Sequence, residues 1–341
     1  MPIFHVVTGL IWLFVLVRFV IPLPWSLAAR GVAALVLLLG SQHHLLARRF
    51  YGAAFSPEVP RPLGMLANTL FGTLLLLATF QVMLDLLTLA SSLLHGSYLA
   101  PPQAARLAIG AAAVALAFFG VSQAVRVPPV KEVEVAISDL PIEFEGYRIV
   151  QLTDLHLSKL FEASWAEKVV AKANAQEPDL IVITGDLMDG TLAAREHDVE
   201  PLRALRARDG VFVTPGNHEY YYGYEGWMRK YSELGMTRLA NSHVLLKQGS
   251  ATLALAGITD FASGRFGLPR PDLEKALSGV PAEAPVILLA HQPRGAPQAA
   301  QAGVALQLSG HTHGGMVLGL DRFVARFNNG FVSGFYKIGN L

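Results

Sequence analysis

Four long apolar segments lie within the first 126 residues, and they constrain the fold more than any other feature of the chain. Each reaches the ~20 residues that a helix needs to cross ~30 Å of hydrocarbon. The first lacks a basic n-region and a small-residue cleavage site, so we interpret it as a span rather than a cleaved signal peptide. The sequence therefore predicts about four transmembrane helices, over Ile3 to Ile21, Ser26 to Leu46, Leu63 to Leu94 and Arg106 to Val125.

Charge is distributed unevenly along the chain. Only Glu58 and Asp85, of the 26 acidic residues, precede position 127, and that part of the chain is net basic. A proline pair then interrupts the apolar pattern in VRVPPVKEVEV, and an alternation that predicts a strand begins at Val133, Val135 and Ile137. We therefore predict two domains, a transmembrane helical domain over 1–126 and a water-soluble domain over 127–341.

The second domain alternates β-rich runs with segments of helical spacing. The predicted strands are YRIVQLTD, PDLIVITGD, GVFVTPGN, TLALAGITD, APVILLAHQ and VALQLSGH. The predicted helices are Ala163 to Gln176, Val199 to Arg208, Gly226 to Leu234, Asp272 to Leu277 and Gly295 to Gln301. This alternation predicts an α/β domain, in which chemistry gathers at the strand ends.

Polar residues of the metal-ligating type follow five of these strands. They are Asp154, His156, Asp186, Asn217, His218, His291, His311 and His313. Two divalent ions ~3.5 to 4 Å apart need an anionic bridge together with nitrogen and oxygen ligands on each side, and Asp186 suits the bridge. Because the chain has no cysteine, the ligand chemistry favours manganese, iron or zinc over copper(I) or an iron-sulfur cluster.

The ordered motifs D-x-H, G-D, G-N-H-E, a lone histidine and G-H-x-H resemble the calcineurin-like metallophosphoesterase superfamily. The resemblance runs from Tyr147 to Gly315, and the wording TDLHLS and GHTHGG is most similar to its membrane-associated phosphodiesterase branch. It implies a four-layer α/β sandwich, two packed sheets flanked by helices. It also implies one metal ion on Asp154, His156, Asp186 and His313, and a second on Asp186, Asn217, His291 and His311.

The resemblance further assigns His218 as the catalytic residue that contacts the phosphate, with Asp189 and Glu219 as candidates to support the ligands. We therefore predict a membrane-anchored phosphoesterase in which a hydroxide bridging two divalent metal ions attacks a phosphodiester or pyrophosphate. The alternative is a non-catalytic membrane sensor or scaffold that binds a phosphorylated ligand, although a pure binder could dispense with His218.

The expected partners are membrane lipids and a phosphoester substrate, a lipid or lipid-linked compound, and no feature indicates nucleic-acid binding. About seven residues separate Val125 from the first predicted strand and reach about 25 Å when extended, which keeps the catalytic domain near the headgroups. The loop after the second span and the segment after the fourth carry five basic residues against two on the other side. This imbalance predicts an integral protein of the inner or plasma membrane with a cytoplasmic catalytic domain.

Three features allow two interpretations each. The aromatic stretch from Tyr220 to Trp227 suits either a pocket wall at the membrane boundary or ordinary helix packing. Asp85 lies either at the membrane interface or inside the membrane opposite His43 or His44. Asp260 and Arg265 follow a strand and are candidates for substrate contact.

Overall fold

The computed structural model describes residues 2–52, 56–316, 319–339 and 341. The chain divides into two compact units, Met1–Arg126 and Val127–Leu341. The division falls at the residue where the charge composition of the sequence changes.

The first unit is helical throughout its described elements. They are α1 (Pro2–Val15, continued by a π-helical turn Leu16–Val20), α2 (Leu27–Tyr51), α3 (Arg61–His95) and α4 (Gln103–Ala124). Within the described residues, three helical stretches are long and apolar enough to cross a membrane, namely Ile3–Val20, Arg61–His95 and Gln103–Ala124. The predicted second span also forms a helix, α2, but this helix is not among the three. Its mean hydropathy is lowered by Arg30 at one end and by Gln42, His43 and His44 toward the other.

Asp85 of α3 forms an ion pair with Arg18, which lies in the π-helical turn after α1. Arg18 donates to its two carboxylate oxygens at 3.0 and 2.9 Å, and Gln81 donates to the same group at 2.8 Å. His43 and His44 instead lie against each other, with ring centroids 3.8 Å apart, and both contact Phe71. Asp85 is therefore an ion-pair partner of Arg18. The prediction that placed Asp85 opposite His43 or His44 is wrong.

The first sheet of the second unit is parallel throughout. Its strands lie in the order β1 (Ile149–Leu152), β2 (Leu180–Ile183), β3 (Val211–Val213) and β4 (Thr237–Arg238). All four residues of β2 are fully buried, because both faces of this sheet are covered. Parallel pairing places the carboxyl ends of β1, β2 and β3 at one edge of the unit.

The second sheet begins with a hairpin. Its strands lie in the order β5 (Ser242–Gln248), β6 (Ala251–Gly257), β7 (Val286–Leu289) and β8 (Leu306–Leu308). β5 and β6 are antiparallel around Gly249 and Ser250, whereas β6, β7 and β8 are parallel.

The two sheets pack face to face and helices cover both outer faces. Leu180 and Val182 meet Leu255 and Ile287 between the sheets. On the outside, the first sheet packs against α5 and α8, and the second packs against α9 and α10. The helices of this unit are α5 (Ala163–Asn174), α6 (Leu192–Val199), α7 (Asn217–Tyr221), α8 (Tyr224–Glu233), α9 (Leu273–Leu277), α10 (Ala296–Gln301) and α11 (Leu320–Phe327). The predicted four-layer α/β sandwich is confirmed.

The six predicted strands all form, but two more strands, β4 and β5, were not predicted. The alternation from Val133 to Ile137 does not form a strand, because no strand among the described residues pairs with it, and Val133 stays 57% exposed. The prediction of a helix from Val199 to Arg208 is wrong: α6 ends at Val199, and a short 3₁₀ turn, Glu200–Ala204, follows with Pro201 near its start.

Candidate metal centre

Strand ends of both sheets bring the predicted ligands together. Asp154 and His156 follow β1, Asp186 follows β2, and Asn217 begins the short helix α7 after β3. From the second sheet, His291 follows β7, and His311 and His313 follow β8. The backbone N–H of His311 donates to both carboxylate oxygens of Asp154 at 3.1 Å, which joins the two sheets at the site.

One group of ligands consists of Asp154, His156 and His313. Their donor atoms all lie within 4.8 Å of one another. His313 Nε2 is 3.3 Å from Asp154 Oδ1 and 3.1 Å from His156 Nε2. Thr153 donates to the other oxygen of Asp154 at 2.6 Å, which leaves Oδ1 to face the histidines.

A second group consists of Asp186, His291 and His311, again within 4.8 Å. His291 Nε2 lies 3.2 Å from Asp186 Oδ2, 3.3 Å from His311 Nδ1 and 3.1 Å from Asn217 Oδ1. His291 Nδ1 is 2.7 Å from the carbonyl oxygen of Thr184, so Nδ1 carries the proton and Nε2 faces the group. Asn217 therefore joins this group through its amide oxygen.

Asp186 lies between the two groups. Its Oδ2 is 3.2 Å from His291 Nε2 and 3.8 Å from His156 Nε2. Its Oδ1 accepts from the backbone N–H of His218 at 2.9 Å. One carboxylate oxygen of Asp186 thus faces histidines of both groups, in the position expected of a bridging ligand.

His218 stands beside the groups and belongs to a third cluster with Asp189 and His156. Its Nδ1 hydrogen-bonds Asp189 Oδ1, and its Nε2 is 3.8 Å from Asp186 Oδ2. Asp189 also lies 3.0 Å from His156 Nδ1. This carboxylate fixes both imidazoles with Nδ1 protonated, so that their Nε2 atoms point toward Asp186.

Glu219 is fully buried and organises the loops that carry the ligands. Its carboxylate accepts from the backbone N–H groups of Gly216, Asp186 and Leu187 at 2.7 to 3.1 Å. Tyr231 of α8 donates to the same carboxylate at 3.0 Å. Glu219 therefore connects the loop that follows β2 to the loop that follows β3. Its carboxylate does not face the ligand groups.

Five of the seven predicted ligands have left-handed backbone conformations. Their φ angles are 53° at Asp154, 44° at His156, 54° at Asp186, 73° at His311 and 46° at His313. Such conformations are uncommon outside glycine and cost on the order of 1–3 kcal/mol each. Their concentration at these positions indicates that the surrounding structure holds the ligands in place at the expense of stability.

Two glycines allow the loops to approach one another. A Cβ on Gly310 would lie 2.0 Å from Thr153 Oγ1 and 2.1 Å from Asp154 Oδ2. A Cβ on Gly216 would lie 2.2 Å from Asp186 Oδ1. The carboxylates of Asp154 and Asp186 thus occupy the space that any larger residue would fill.

Burial and opposing charge shift the pKa values of the ligands strongly. Burial lowers the pKa of His291, but the nearby Asp186 outweighs it and raises that pKa to about 10. Burial and the neighbouring His291 lower the pKa of His311 to about 4. Burial raises the pKa of Asp154, but a hydrogen bond from His313 and the charge of His291 bring it below its ordinary value.

The donor set fits divalent cations. His156 Nε2 and His313 Nε2 face each other at 3.1 Å, and His156 Nδ1 already holds its proton against Asp189. Two imidazole lone pairs at this distance repel unless a proton or a cation lies between them. Imidazole, carboxylate and amide oxygen ligands in these two groups suit first-row divalent metals.

The aromatic stretch that follows Asn217 divides between core and surface. Tyr220 and Trp227 are 3% and 0% exposed, and Trp227 packs in the core below the first sheet. Tyr221 is 48% exposed, with its ring 5.4 Å from His218 and 6.0 Å from Phe266. Most aromatic residues of the stretch therefore pack in the core. Tyr221 is exposed next to His218, with Phe266 beside it, and we call this edge the rim of the site.

Asp260 and Arg265 differ in their surroundings. Asp260 is buried, caps the turn Phe261–Phe266 through the backbone of Ala262 and accepts from Gln292 at 2.9 Å. Arg265 is exposed beside Phe266. Asp260 therefore supports the loop after β7 through Gln292, whereas the charge of Arg265 acts on the Tyr221 hydroxyl.

Two partners of the site carried no signal in the sequence. Thr184 contributes only its backbone oxygen to His291, which any residue could provide. Tyr231 reaches Glu219 from the buried face of α8, where an aromatic residue in an amphipathic pattern predicts only core packing.

Residues 147–315 match the family model of the calcineurin-like phosphoesterases. A transmembrane protein with metallophosphoesterase domain from Danio rerio is 37% identical over 231 residues, covering 65% of this chain and 53% of that protein. An uncharacterized metallophosphoesterase of Campylobacter jejuni is 34% identical over 229 residues, covering 66% of this chain and 59% of that protein. The 5′-nucleotidase precursor of Thermus thermophilus aligns at 16% identity and a TM-score of 0.37, over 49% of this chain and 42% of that one. The chain spans a little over half the length of these two curated relatives.

Proposed function

Because residues 147–315 belong to the calcineurin-like phosphoesterase family, as their motifs predict, we propose that this protein is a membrane-anchored, metal-dependent phosphoesterase. The proposed reaction is hydrolysis of a phosphodiester or pyrophosphate, and the proposed substrate is a lipid or lipid-linked compound. The curated relatives named as transmembrane proteins with this domain, and the three long apolar helices, support the membrane association.

The observation that carries the proposal is the pair of ligand groups on either side of Asp186. Asp154, His156 and His313 would hold one divalent ion, and Asn217, His291 and His311 would hold the other. Asp186 would be shared, since its Oδ2 faces His291 at 3.2 Å and His156 at 3.8 Å. When bound, two such ions supply Lewis acidity that activates water and neutralises charge on the phosphoryl oxygens. Manganese, iron and zinc are the metals we propose.

His218 would act on the phosphate or on the leaving group. Burial lowers its pKa, but the carboxylates of Asp189 and Asp186 outweigh burial and raise that pKa above the ordinary value. An imidazolium held by Asp189 can stabilise negative charge on a phosphoryl oxygen or donate its Nε2 proton to the departing oxygen. Asp189 keeps Nε2 directed to the side of the site where Asp186 lies.

The rim of the site suits a substrate with both an apolar and an anionic part. Tyr221 and Phe266 present rings that are 48% and 47% exposed, and the exposed Arg265 adds a positive charge that acts on the Tyr221 hydroxyl. An amphipathic phosphoester presented at a lipid surface would meet these groups before it reaches the ligand groups. These exposed groups support the proposal of a lipid substrate rather than a small soluble one.

Substitution of the shared ligand tests the proposed reaction. In Asp186→Asn we expect both bound metal and hydrolysis of bis(4-nitrophenyl) phosphate to fall, because one side chain serves both ions. In His218→Asn we expect metal content to stay and kcat to fall by about 10²–10⁴-fold, the usual contribution of a positioned acid. Metal analysis and initial rates on purified full-length protein measure both. Two metals and near-normal turnover in Asp186→Asn would show the assignment to be wrong.

Surface-dilution kinetics test the substrate class. With the full-length protein in mixed micelles, the rate on a phospholipid or lipid-linked pyrophosphate should follow its mole fraction in the micelle rather than its bulk concentration. The rate on bis(4-nitrophenyl) phosphate, at a fixed concentration in water, serves as the control and should not change with micelle dilution. A rate that depends on bulk concentration alone, with full activity on the soluble diester, would contradict the lipid substrate and leave the phosphoesterase reaction intact.

A further inference from the structure

The helix α11 exposes its apolar side. Leu320, Phe323 and Phe327 lie within one narrow arc of the helix and are 47%, 63% and 61% exposed. An amphipathic helix on a protein surface ordinarily buries its apolar face against the core. Here the rings of Phe323 and Phe327 contact each other, 4.9 Å apart, and face outward. This face therefore lacks the protein partner that its composition requires among the described residues.

The opposite side of α11 is held against the metal loop. Asp321 packs on Gly315, where an added Cβ would lie 2.6 Å from the Asp321 Cα. Beyond the helix, Asn329 donates to the backbone oxygen of Arg294 at 2.6 Å, and Thr312 donates to the backbone oxygen of Val332. The helix is thus fixed directly beside His313, with its apolar residues directed away from the unit.

Further exposed apolar residues and cations belong to the same segment. Met316 is 72% exposed and Phe335 is 63% exposed, so exposed apolar residues also precede and follow the helix in the chain. Arg322, Arg326 and Lys337 are exposed on the same segment. Aromatic and aliphatic residues beside basic residues are typical of helices that lie in the interface of anionic lipid.

The chain itself keeps this unit close to a membrane. α4, which is long and apolar enough to span, ends at Ala124, and Val127 already packs against the core of the second unit. Three residues extend over about 10 Å at most. With α4 in a bilayer, as the proposed function requires, Val127 therefore lies within about 10 Å of the end of that span.

We propose that α11 is a lipid-binding element that lies in the headgroup region, with Leu320, Phe323 and Phe327 in contact with acyl chains and Arg322 and Arg326 near anionic headgroups. The contact would hold the metal loop at the lipid surface. It concerns binding and not turnover, so it does not depend on the proposed hydrolysis.

Site-specific labelling can test this contact, because the chain contains no native cysteine. The full-length Phe323→Cys variant is labelled with an environment-sensitive fluorophore and reconstituted in phosphatidylcholine vesicles with phosphatidylserine. Ile142→Cys is the matched control. Ile142 is 75% exposed, more than Leu320, Phe323 or Phe327, and its neighbour Glu143 contacts Ser250 just before β6, at the end of the sheets away from the predicted ligands.

The expected result is blue-shifted emission at position 323, strong quenching by doxyl-labelled lipid and protection from aqueous iodide, with the opposite behaviour at position 142. Phe327→Cys should behave like Phe323→Cys. Quenching by iodide at both helix positions would overturn the proposal. Protection from iodide without quenching by lipid would also overturn it, because another protein surface, such as a second copy of the chain, would then cover the helix.

The role of Arg322 and Arg326 can be tested by a second measurement, the dependence of lipid quenching on the phosphatidylserine fraction. In Arg322→Gln/Arg326→Gln, carrying the label at position 323, lipid quenching should no longer increase with the phosphatidylserine fraction. An unchanged dependence on phosphatidylserine would contradict the proposed role of these arginines in the lipid contact.

Discussion

At the residue scale, the proposed metal centre depends on which nitrogen of each histidine carries a proton. Asp189 accepts Nδ1–H of both His156 and His218, and Thr184 accepts Nδ1–H of His291. Each imidazole is thereby left with Nε2 directed toward the ligand groups. We therefore expect the groups that set these tautomers to matter to the site as much as the proposed ligands do.

Asp189→Asn tests this dependence. An amide can present its NH₂ group to Nδ1, which would favour the wrong tautomer of His156. We expect metal affinity to fall by about 10–100-fold while the protein stays folded. Metal titration with circular dichroism as the folding check measures both effects, and Asp139→Asn, at an exposed position, is the control. Unchanged affinity in Asp189→Asn would show that Asp189 does not orient the ligands.

At the element scale, the predicted ligands lie where loops from the two sheets approach each other closely. Glycine allows this close approach because it has no Cβ. In Gly310→Ala the added methyl group would displace Thr153 or Asp154, at 2.0 and 2.1 Å, so we expect loss of bound metal and a stability cost of about 1–3 kcal/mol. Gly303→Ala is the control. Gly303 has a φ of 80° with nothing within 4 Å of the Cβ position, so it should cost about 1 kcal/mol and retain metal. Equal metal content in the two variants would contradict this account.

The opposite end of the first sheet gives a pH-dependent prediction. Tyr147 donates to Asp209 at 2.6 Å. Burial raises the pKa of Asp209, but Tyr147 and Arg208 outweigh burial and lower it. The stabilisation is therefore present above the unfolded pKa of about 3.9 and is lost as the pH falls through the lower folded pKa.

We expect Tyr147→Phe to lower the stability of the second unit by about 1–2 kcal/mol near pH 7. The difference from the unchanged protein should shrink as the pH falls below about 3.9. Thermal unfolding followed by near-ultraviolet circular dichroism at a series of pH values measures this. A difference that is independent of pH down to the acid limit of folding would exclude the hydrogen bond to the ionised carboxylate as its cause.

Much of this architecture can be predicted from the sequence, and the failures have physical causes. The buried strands and the ordered strand-end ligands are predictable, because each depends on a local pattern of apolar and polar residues. The alternation from Val133 to Ile137 is a local pattern as well, but a strand also needs a neighbour, which no local pattern specifies. The partnership of Tyr231 with Glu219 and the outward face of α11 depend on tertiary packing and carry no local signal.

At the scale of the whole molecule, the side of the membrane on which the second unit lies remains a prediction. The loop after the second predicted span carries Arg48, Arg49 and Arg61, and basic loops remain cytoplasmic. A reporter fused after Gly339 should therefore report a cytoplasmic location, and protease added to spheroplasts should leave the second unit intact. Digestion of the second unit from outside would show that it lies on the opposite side of the membrane and that the predicted orientation is wrong.

The separation of the ligands along the chain has a consequence for biosynthesis. His156 and His313, whose Nε2 atoms lie 3.1 Å apart, are separated by 157 residues. Under the proposed assignment, the ribosome must therefore synthesise most of the second unit before all the ligands of a metal ion are present, and contacts of such long sequence separation form slowly. Under the proposed assignment, metal binding is then a post-translational event that reports completed docking of the two sheets.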